Sequence, residues 1–379
     1  MPIAEIIFWL SILGVFWAYF GYWLMLKLMS MIHTRTVRKE DFQPQISLII
    51  TAYNEERRIR EKIENTLALD YPRDKLEIIV VSDASTDGTE DIVRSFADRG
   101  VKLLVIGERH GKHHGQGRGI RMAKSDIVVL TDATTFLDRD GVSKIIRNFA
   151  DPTIGCVSSE DRMKSSASNA SGEGLYVTYE MQLRSAESAV GSLVGVSGSF
   201  YAVRKHLCEH WIDNMSSDFY MPSVAKINGY RTVLEPEALG YYEVVRDPEK
   251  EFIRKVRTVV HGYEVLFRFF RVLNPFKYGF YSLQMFSHKL CRWLVPLFLI
   301  SALISNLFLW QTGILYQMTL LTQLALYLMA LLAHLVKRLQ DVVLFKVPFF
   351  FAMVNISILV AWYKYLTGQE YVVWDATKR

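Results

Sequence analysis

Asp132 closes the stretch Ile127-Val-Val-Leu-Thr-Asp-Ala-Thr-Thr135. Four apolar, mostly β-branched residues in a row read as a strand buried on both faces, as in a parallel sheet. Ligands of open α/β sheets sit beyond the carboxyl ends of the strands. A carboxylate placed there can hold a divalent cation against a phosphate, because hard cations take oxygen ligands. The plainer reading makes Asp132 the cap of a turn. Asp83 ends a second strand inside Val80-Val-Ser-Asp-Ala-Ser-Thr-Asp-Gly88, and Asp218, before Phe219-Tyr-Met-Pro222, reads on residue types alone as a helix cap. Cys156, Cys208 and Cys291 are far apart and form no CxxC or Cys/His cluster, which argues against a disulfide framework or a zinc site.

The elements that must carry these residues alternate. Segments 46–50, 76–81, 101–106 and 126–130 read as strands, with helices over 55–69 and about 89–97. That alternation implies a parallel sheet with helices on both faces. Gly115, Gly117 and Gly119 form a GxGxG that does not directly follow a strand, so it is not read as a dinucleotide fingerprint.

The apolar excess is concentrated at the two ends of the chain. Of 379 residues, 50% are hydrophobic and 22% charged. Residues 6–26 carry no charge and are long enough to cross a bilayer. Lys27, Arg35, Arg38 and Lys39 follow, which places the next segment in the cytoplasm. Segments 251–273 and 276–291 mix basic residues with aromatics and read as amphipathic helices at the membrane surface or packed on the soluble domain. Three more apolar runs follow at 293–310, 314–336 and 347–363. The last is short, has Pro348 near its start, and reads as a span or a re-entrant segment. Lys364, Lys378 and Arg379 favour a C-terminus inside, against an odd count of crossings after the first. A net charge of +5 fits a membrane neighbour or a phosphate-rich ligand better than nucleic acid.

Thr51-Ala-Tyr-Asn-Glu55, the Asp83 turn, Arg109-His-Gly-Lys112, Thr131-Asp-Ala-Thr134, Val196-Ser-Gly-Ser-Phe-Tyr-Ala-Val-Arg204 and Ser217-Asp-Phe219 follow one another along the chain. In this order they resemble the family 2 glycosyltransferases, and more narrowly their membrane-embedded branch, which includes hyaluronan, chitin and cellulose synthases and bacterial polysaccharide glycosyltransferases. The resemblance runs over about 46–265. It implies an α/β fold: a GT-A nucleotide-diphospho-sugar transferase domain at 44–245, flanked by an N-terminal anchor (1–32), amphipathic interface helices (250–291), about three transmembrane helices (292–366) and a tail (367–379).

Roles follow from the same resemblance. It implies that Ala52, Tyr53 and Glu55 bind base and ribose, that Asp83 hydrogen-bonds the nucleoside, and that Lys112 lies near the nucleotide. Asp132 matches the first acid of an Asp-x-Asp metal motif whose second position is here Thr134, leaving one protein carboxylate for Mg²⁺ or Mn²⁺. Such a cation keeps waters and binds through few carboxylates plus phosphates. Asp218 matches the catalytic base, with Ser217 in place of the acid before it. Ser197, Gly198 and Ser199 match the acceptor loop. Arg254 and Arg257 stand in a Gln-x-x-Arg-Trp segment where Thr258 replaces the tryptophan, and basic residues there can bind diphosphate. Tyr263 or Phe267 could supply the missing aromatic face.

The expected activity is inverting, metal-dependent transfer from a nucleotide sugar, a UDP-sugar first, to a saccharide or lipid-linked acceptor in surface polysaccharide synthesis. It is placed at the cytoplasmic face of a plasma or inner membrane. Short products or single additions are expected of the isolated chain, with a homo-oligomer or export partner completing any long-chain path. The rivals are a single-sugar transferase acting on a polyprenyl-linked acceptor and an inactive nucleotide-binding scaffold. The retained Asp132, Asp218 and Arg257 speak against the scaffold.

Overall fold

The computed structural model describes residues 2–163, 172–242 and 248–369. Lys378 and Arg379 lie outside them. Eight strands form one sheet: β1 (Ile46–Ala52), β2 (Leu76–Asp83), β3 (Val101–Ile106), β4 (Ile127–Asp132), β5 (Phe136–Leu137), β6 (Ile154–Met163), β7 (Phe200–Arg204) and β8 (Arg231–Tyr242), in the order β3-β2-β1-β4-β7-β6-β8-β5. The first four are parallel. The sheet then turns mixed, since β7 runs antiparallel to both β4 and β6. The expected parallel sheet is therefore interrupted by β7 and resumes where β6 pairs parallel with β8.

Both faces of β1 are covered. Leu48 and Ile50 enter one buried cluster with Ile59, Ile63 and Leu67 of the helix Ile59–Leu67, while Ile49 enters another with Val81, Ile120 and Leu130. Burying each such side chain stabilises by roughly 1.5–3 kcal/mol, which is why a continuous apolar run, not an alternating one, builds this strand. The glycine run lies inside the helix Lys112–Met122. A Cβ on Gly119 would stand 2.6 Å from Ile49 Cγ2, so the glycines let this helix press on the sheet.

Four helices are long and apolar enough to cross a membrane: Ile3–Ile32, Phe280–Leu309, Ile314–Leu335 and Val343–Leu366. Two sequence boundaries differ. Residues 280–291 continue without a break into 292–309, through one π-helical stretch, so they are not a separate amphipathic helix. The last run is a full 24-residue helix that takes Pro348 inside its second turn, so the proline does not end it. The helix Pro248–Arg268 buries Val256, Val260 and Tyr263 against Trp293, Ile358 and Ala361, and leaves Ile253 and Phe267 exposed.

Candidate active site

The parallel register brings the ends of three strands to one edge: Thr51 stands beside Asp132, and Ala52 beside Ser82. Six of the residues expected at the donor, Ala52, Tyr53, Glu55, Asp83, Lys112 and Asp132, line one cavity there. Both Asp83 oxygens accept backbone N–H groups, from His110 at 3.0 Å and Gly111 at 2.7 Å. Asp83 thus pins the loop that leads into the helix Lys112–Met122. The Arg109 guanidinium lies 3.7 Å from the centre of the Tyr53 ring, a cation–π contact that closes one wall. Asn54 and Ala84, at the adjoining strand ends, hold positive φ of 53° and 58°, a conformation costly for Ala.

Lys112 is the junction of the site. Its Nζ is 2.5 Å from Asp132 Oδ1 and donates to the Gly198 carbonyl at 2.7 Å, and the Asp132 N–H donates to the Ser199 carbonyl. The loop of Ser197, Gly198 and Ser199 is held from its other side by Asp161, whose Oδ1 accepts from the hydroxyls of Ser197 (2.6 Å) and Ser199 (2.9 Å). Burial raises the Asp161 carboxyl, with Arg184 and the two hydroxyls pulling it back.

Asp218 begins the helix Ser217–Ile227, where Ser216 is the N-cap. Its carboxylate accepts from Ser216 Oγ at 2.7 Å and makes no capping bond to the helix backbone, so the cap reading does not describe its side chain. A Cβ on Gly198 would stand 3.1 Å from Asp218 Oδ2, and only a residue without a side chain leaves that approach open. Ser217 turns the other way and donates to Gln116 Oε1, while its N–H reaches His113 Nδ1. Burial, with Lys112 adding to it, pushes the His113 imidazole down to about 4. His113 is thus a neutral, buried support, and His114 pairs with Asp213.

A second cavity, of about 270 Å³, adjoins the first and is lined by Asp161, Gly198, Asp218, Arg254, Thr258 and Trp293 among others. Arg254 reaches it while paired with Glu251 at 2.6 Å; Arg257 is not among its lining residues. The aromatic substitutes suggested for Thr258 fall elsewhere. Tyr263 is fully buried, stacked 4.1 Å from Trp362, and Phe267 stacks on Tyr365. The aromatic faces at this cavity include Trp293, Phe219 and Tyr242.

Two residues of the site lie outside the sequence motifs. Asp161 follows the apolar stretch Ile154-Gly-Cys-Val157, the same signal that marks Asp132. Lys62, fully buried, donates to Thr131 Oγ1 at 3.0 Å and to the Thr135 carbonyl at 2.5 Å, bracing the turn that aims Asp132. Burial lowers its ammonium to about 7, against the pull of Asp132. A lysine on the apolar stripe Ile59, Ile63, Leu67 was its signature.

The donor set suits a hard cation. Among the described residues no three His, Cys, Asp or Glu side chains gather to hold a metal. One carboxylate, Asp132, with Thr134 beside it, fits an ion that completes its shell with phosphate oxygens and water, and does not fit zinc. Lys112 would share that carboxylate with the ion.

The family model described as Glycosyl transferase family 2 matches residues 47–206. Poly-beta-1,6-N-acetyl-D-glucosamine synthase of Staphylococcus aureus (strain COL) is 28% identical over 251 residues, which cover 63% of this chain and 60% of that protein. The Staphylococcus epidermidis protein of the same description is 26% identical over an equal span. The match therefore spans about three fifths of the length of these curated relatives. Among solved structures, mannosyltransferase PcManGT from Pyrobaculum calidifontis, in complex with GDP-Man and Mn²⁺, has a TM-score of 0.75 and 25% identity, covering 97% of this chain and 100% of that one. Six ordered motifs, the mixed sheet and these likenesses agree: residues 47–206 form a domain of glycosyl transferase family 2 with the GT-A fold, flanked by helices long and apolar enough to cross a membrane.

Proposed function

We propose that the chain transfers a sugar, with inversion, from a nucleoside diphosphate sugar to an acceptor hydroxyl at the cytoplasmic face of a membrane that it crosses several times. The observation that carries this reading is the pairing of two cavities. Asp132 lies in one and Asp218 in the other, and Lys112 bonds to both Asp132 and the Gly198 carbonyl at their border. The likeness to PcManGT, solved with GDP-Man and Mn²⁺, supports a nucleotide-sugar donor and a divalent cation, Mg²⁺ or Mn²⁺. The likeness to the N-acetylglucosamine polymer synthases supports a role in building a surface polysaccharide.

In this reading Ala52, Tyr53, Glu55 and Asp83 hold the nucleoside, and Arg254 adds charge for the diphosphate. Asp218 accepts the proton of the attacking hydroxyl as its oxygen bonds to the anomeric carbon. The bond from that carbon to the diphosphate breaks, and the nucleoside diphosphate leaves with the electron pair. A divalent cation bound through Asp132 supplies neutralisation of the charge that builds on the leaving group. Ser197, Gly198 and Ser199 shape the acceptor side, where the small residues permit close approach of a sugar. Ile253 and Phe270 are exposed, and in this reading they meet the membrane surface.

Incubating the purified chain with labelled UDP-sugars and GDP-mannose, with and without EDTA, tests the reading. Nucleotide diphosphate release and a labelled product with one donor, lost in EDTA and restored by Mn²⁺ or Mg²⁺, is expected. Turnover unaffected by EDTA would remove the cation from the account. The missing tryptophan at Thr258 favours short products from the isolated chain. A ladder reaching high mass from the monomer would contradict that part alone.

A further inference from the structure

The helix Ile59–Leu67 packs against the turn that carries Asp132, and the contact is not wholly apolar. Ile59, Ile63 and Leu67 share a buried cluster with Ala133 and Leu137. On the same stripe stands Lys62, 0% exposed. Its Nζ donates to Thr131 Oγ1 at 3.0 Å and to the Thr135 carbonyl at 2.5 Å. One ammonium thus spans the turn, from the residue before Asp132 to the third after it. The Thr135 N–H closes the same turn on the Asp132 carbonyl at 3.2 Å. One turn further along the helix, Asn65 repeats the device. Its Oδ1 accepts from the Leu137 N–H and its Nδ2 donates to the Leu137 carbonyl, both at 2.9 Å.

An ammonium is a costly donor for two neutral oxygens. Lysine is almost never fully buried unless paired, yet the hydrogen-bond partners of the Lys62 side chain among the described residues are both neutral. The pull that offsets its burial comes from Asp132. Lys62 is therefore tied to Asp132 twice, through the main chain on both sides of it and through its charge. If the turn needed only a donor for its carbonyl, a neutral amide would serve without the desolvation of a charge, as Asn65 does two residues on. Asp132 has Thr134, not a second acid, beside it in the donor cavity. The grip on a cation then rests on one carboxylate that must already point the right way. A ligand held in its bound conformation beforehand loses less entropy when the ion arrives.

We propose that Lys62 and Asn65 are positioning residues for the donor's divalent cation: by fixing residues 131–137 they hold Asp132 ready, so that one protein carboxylate is enough. This rests on the transferase reading, in which Asp132 holds Mg²⁺ or Mn²⁺. Neither Lys62 nor Asn65 is among the residues that line the donor cavity, so both act through the turn. The charge of Lys62 works against its geometry, since it repels the cation that the turn is ordered to receive. Asn65 is uncharged and isolates the geometry.

The EPR signal of free Mn²⁺ reads the cation's affinity directly as Mn²⁺ is titrated into the purified full chain, alone and with GDP-mannose or UDP-N-acetylglucosamine. Lys62→Met keeps most of the apolar stem and removes charge and donor. Its Mn²⁺ affinity is expected to fall about tenfold, the scale of a lost hydrogen bond to a charged group. Asn65→Ala should weaken Mn²⁺ about threefold with no change in charge. Lys62→Gln, which restores a neutral donor, should recover part of the loss. Nucleotide-sugar affinity in EDTA should stay within about twofold of wild type in each variant, because the nucleoside residues are untouched. Wild-type Mn²⁺ affinity in Lys62→Met and Asn65→Ala, whatever their melting temperatures, would overturn the proposal and leave both residues as supports of the fold. Tighter Mn²⁺ binding in Lys62→Met would overturn it too, by making the lysine a repelling charge. If Lys62→Met fails to fold, Asn65→Ala, at a half-buried position, carries the test. A wild-type chain that binds neither nucleotide sugar would sink the transferase reading instead, and the titration with Mn²⁺ alone would still decide on the two side chains.

Discussion

At the scale of single residues the site divides its labour between two carboxylates. Among the described residues the Asp218 carboxylate accepts from the Ser216 hydroxyl; on the proposed reading it serves the acceptor, so replacing it should strike turnover and spare the donor. Asp218→Asn is expected to lower kcat by about 10²–10⁴, the usual worth of a general base, with nucleotide-sugar Kd unchanged by calorimetry. A matching loss of donor affinity would make Asp218 a donor ligand. Asp132→Asn should instead abolish the part of nucleotide-sugar binding that Mn²⁺ or Mg²⁺ adds; binding that responds to the cation as in the wild type would contradict the assignment. His113 supplies a pH signature. Its folded-state value of about 4 lies below the ordinary 6.5, so between these values the unfolded chain holds more protons. Stability must therefore fall as pH drops from 6.5 towards 4, by on the order of 3 kcal/mol if burial persists. Urea titrations across that window check it, and His113→Gln should flatten the dependence.

At the scale of elements, the helix Pro248–Arg268 depends on a close approach to Trp293. A Cβ on Gly262 would stand 2.5 Å from Trp293 Cζ2. Gly262→Ala should destabilise by about 1–3 kcal/mol, as overpacking does, and should also raise the acceptor KM by displacing an aromatic wall of the second cavity. A variant with unchanged melting and KM would show that the contact relaxes freely. Much of this level was readable beforehand. β1, β2, β3 and β4 announce themselves as apolar runs, of which β2 and β4 end in acids, and Asp83, Lys112 and Asp132 line one cavity at the strand ends. Other parts were not readable, for physical reasons. The antiparallel β7 follows a loop of small residues whose pairing is decided by distant strands, not by local pattern. Tyr263 sits on the helix at a plausible spacing for a sugar platform, yet tertiary packing against Trp362 buries it. Trp293 comes from a membrane-length helix 35 positions beyond Thr258 in number, and no spacing rule links the two.

At the scale of the whole molecule, the helices of membrane-crossing length do more than flank the transferase domain. Phe280–Leu309 contributes Lys289, Arg292 and Trp293 to the cavity that holds Asp218, and Val343–Leu366 contributes Ser357 and Ile358. The cavity at Asp218 is thus lined jointly by the sheet domain and the apolar helices, while the cavity at Asp132 is lined by strand ends, their loops and the helix Lys112–Met122. Separating the GT-A domain from its helices should therefore leave nothing that transfers, because one wall of that cavity, Lys289, Arg292 and Trp293 included, goes with them. The central claim is that sugar passes directly from the donor to a nucleophile activated by Asp218, in one displacement. The anomeric configuration of the product, read by NMR after turnover of an α-configured nucleotide sugar in nanodiscs, tests it most directly. A β-linked product is predicted; an α-linked product would contradict the account.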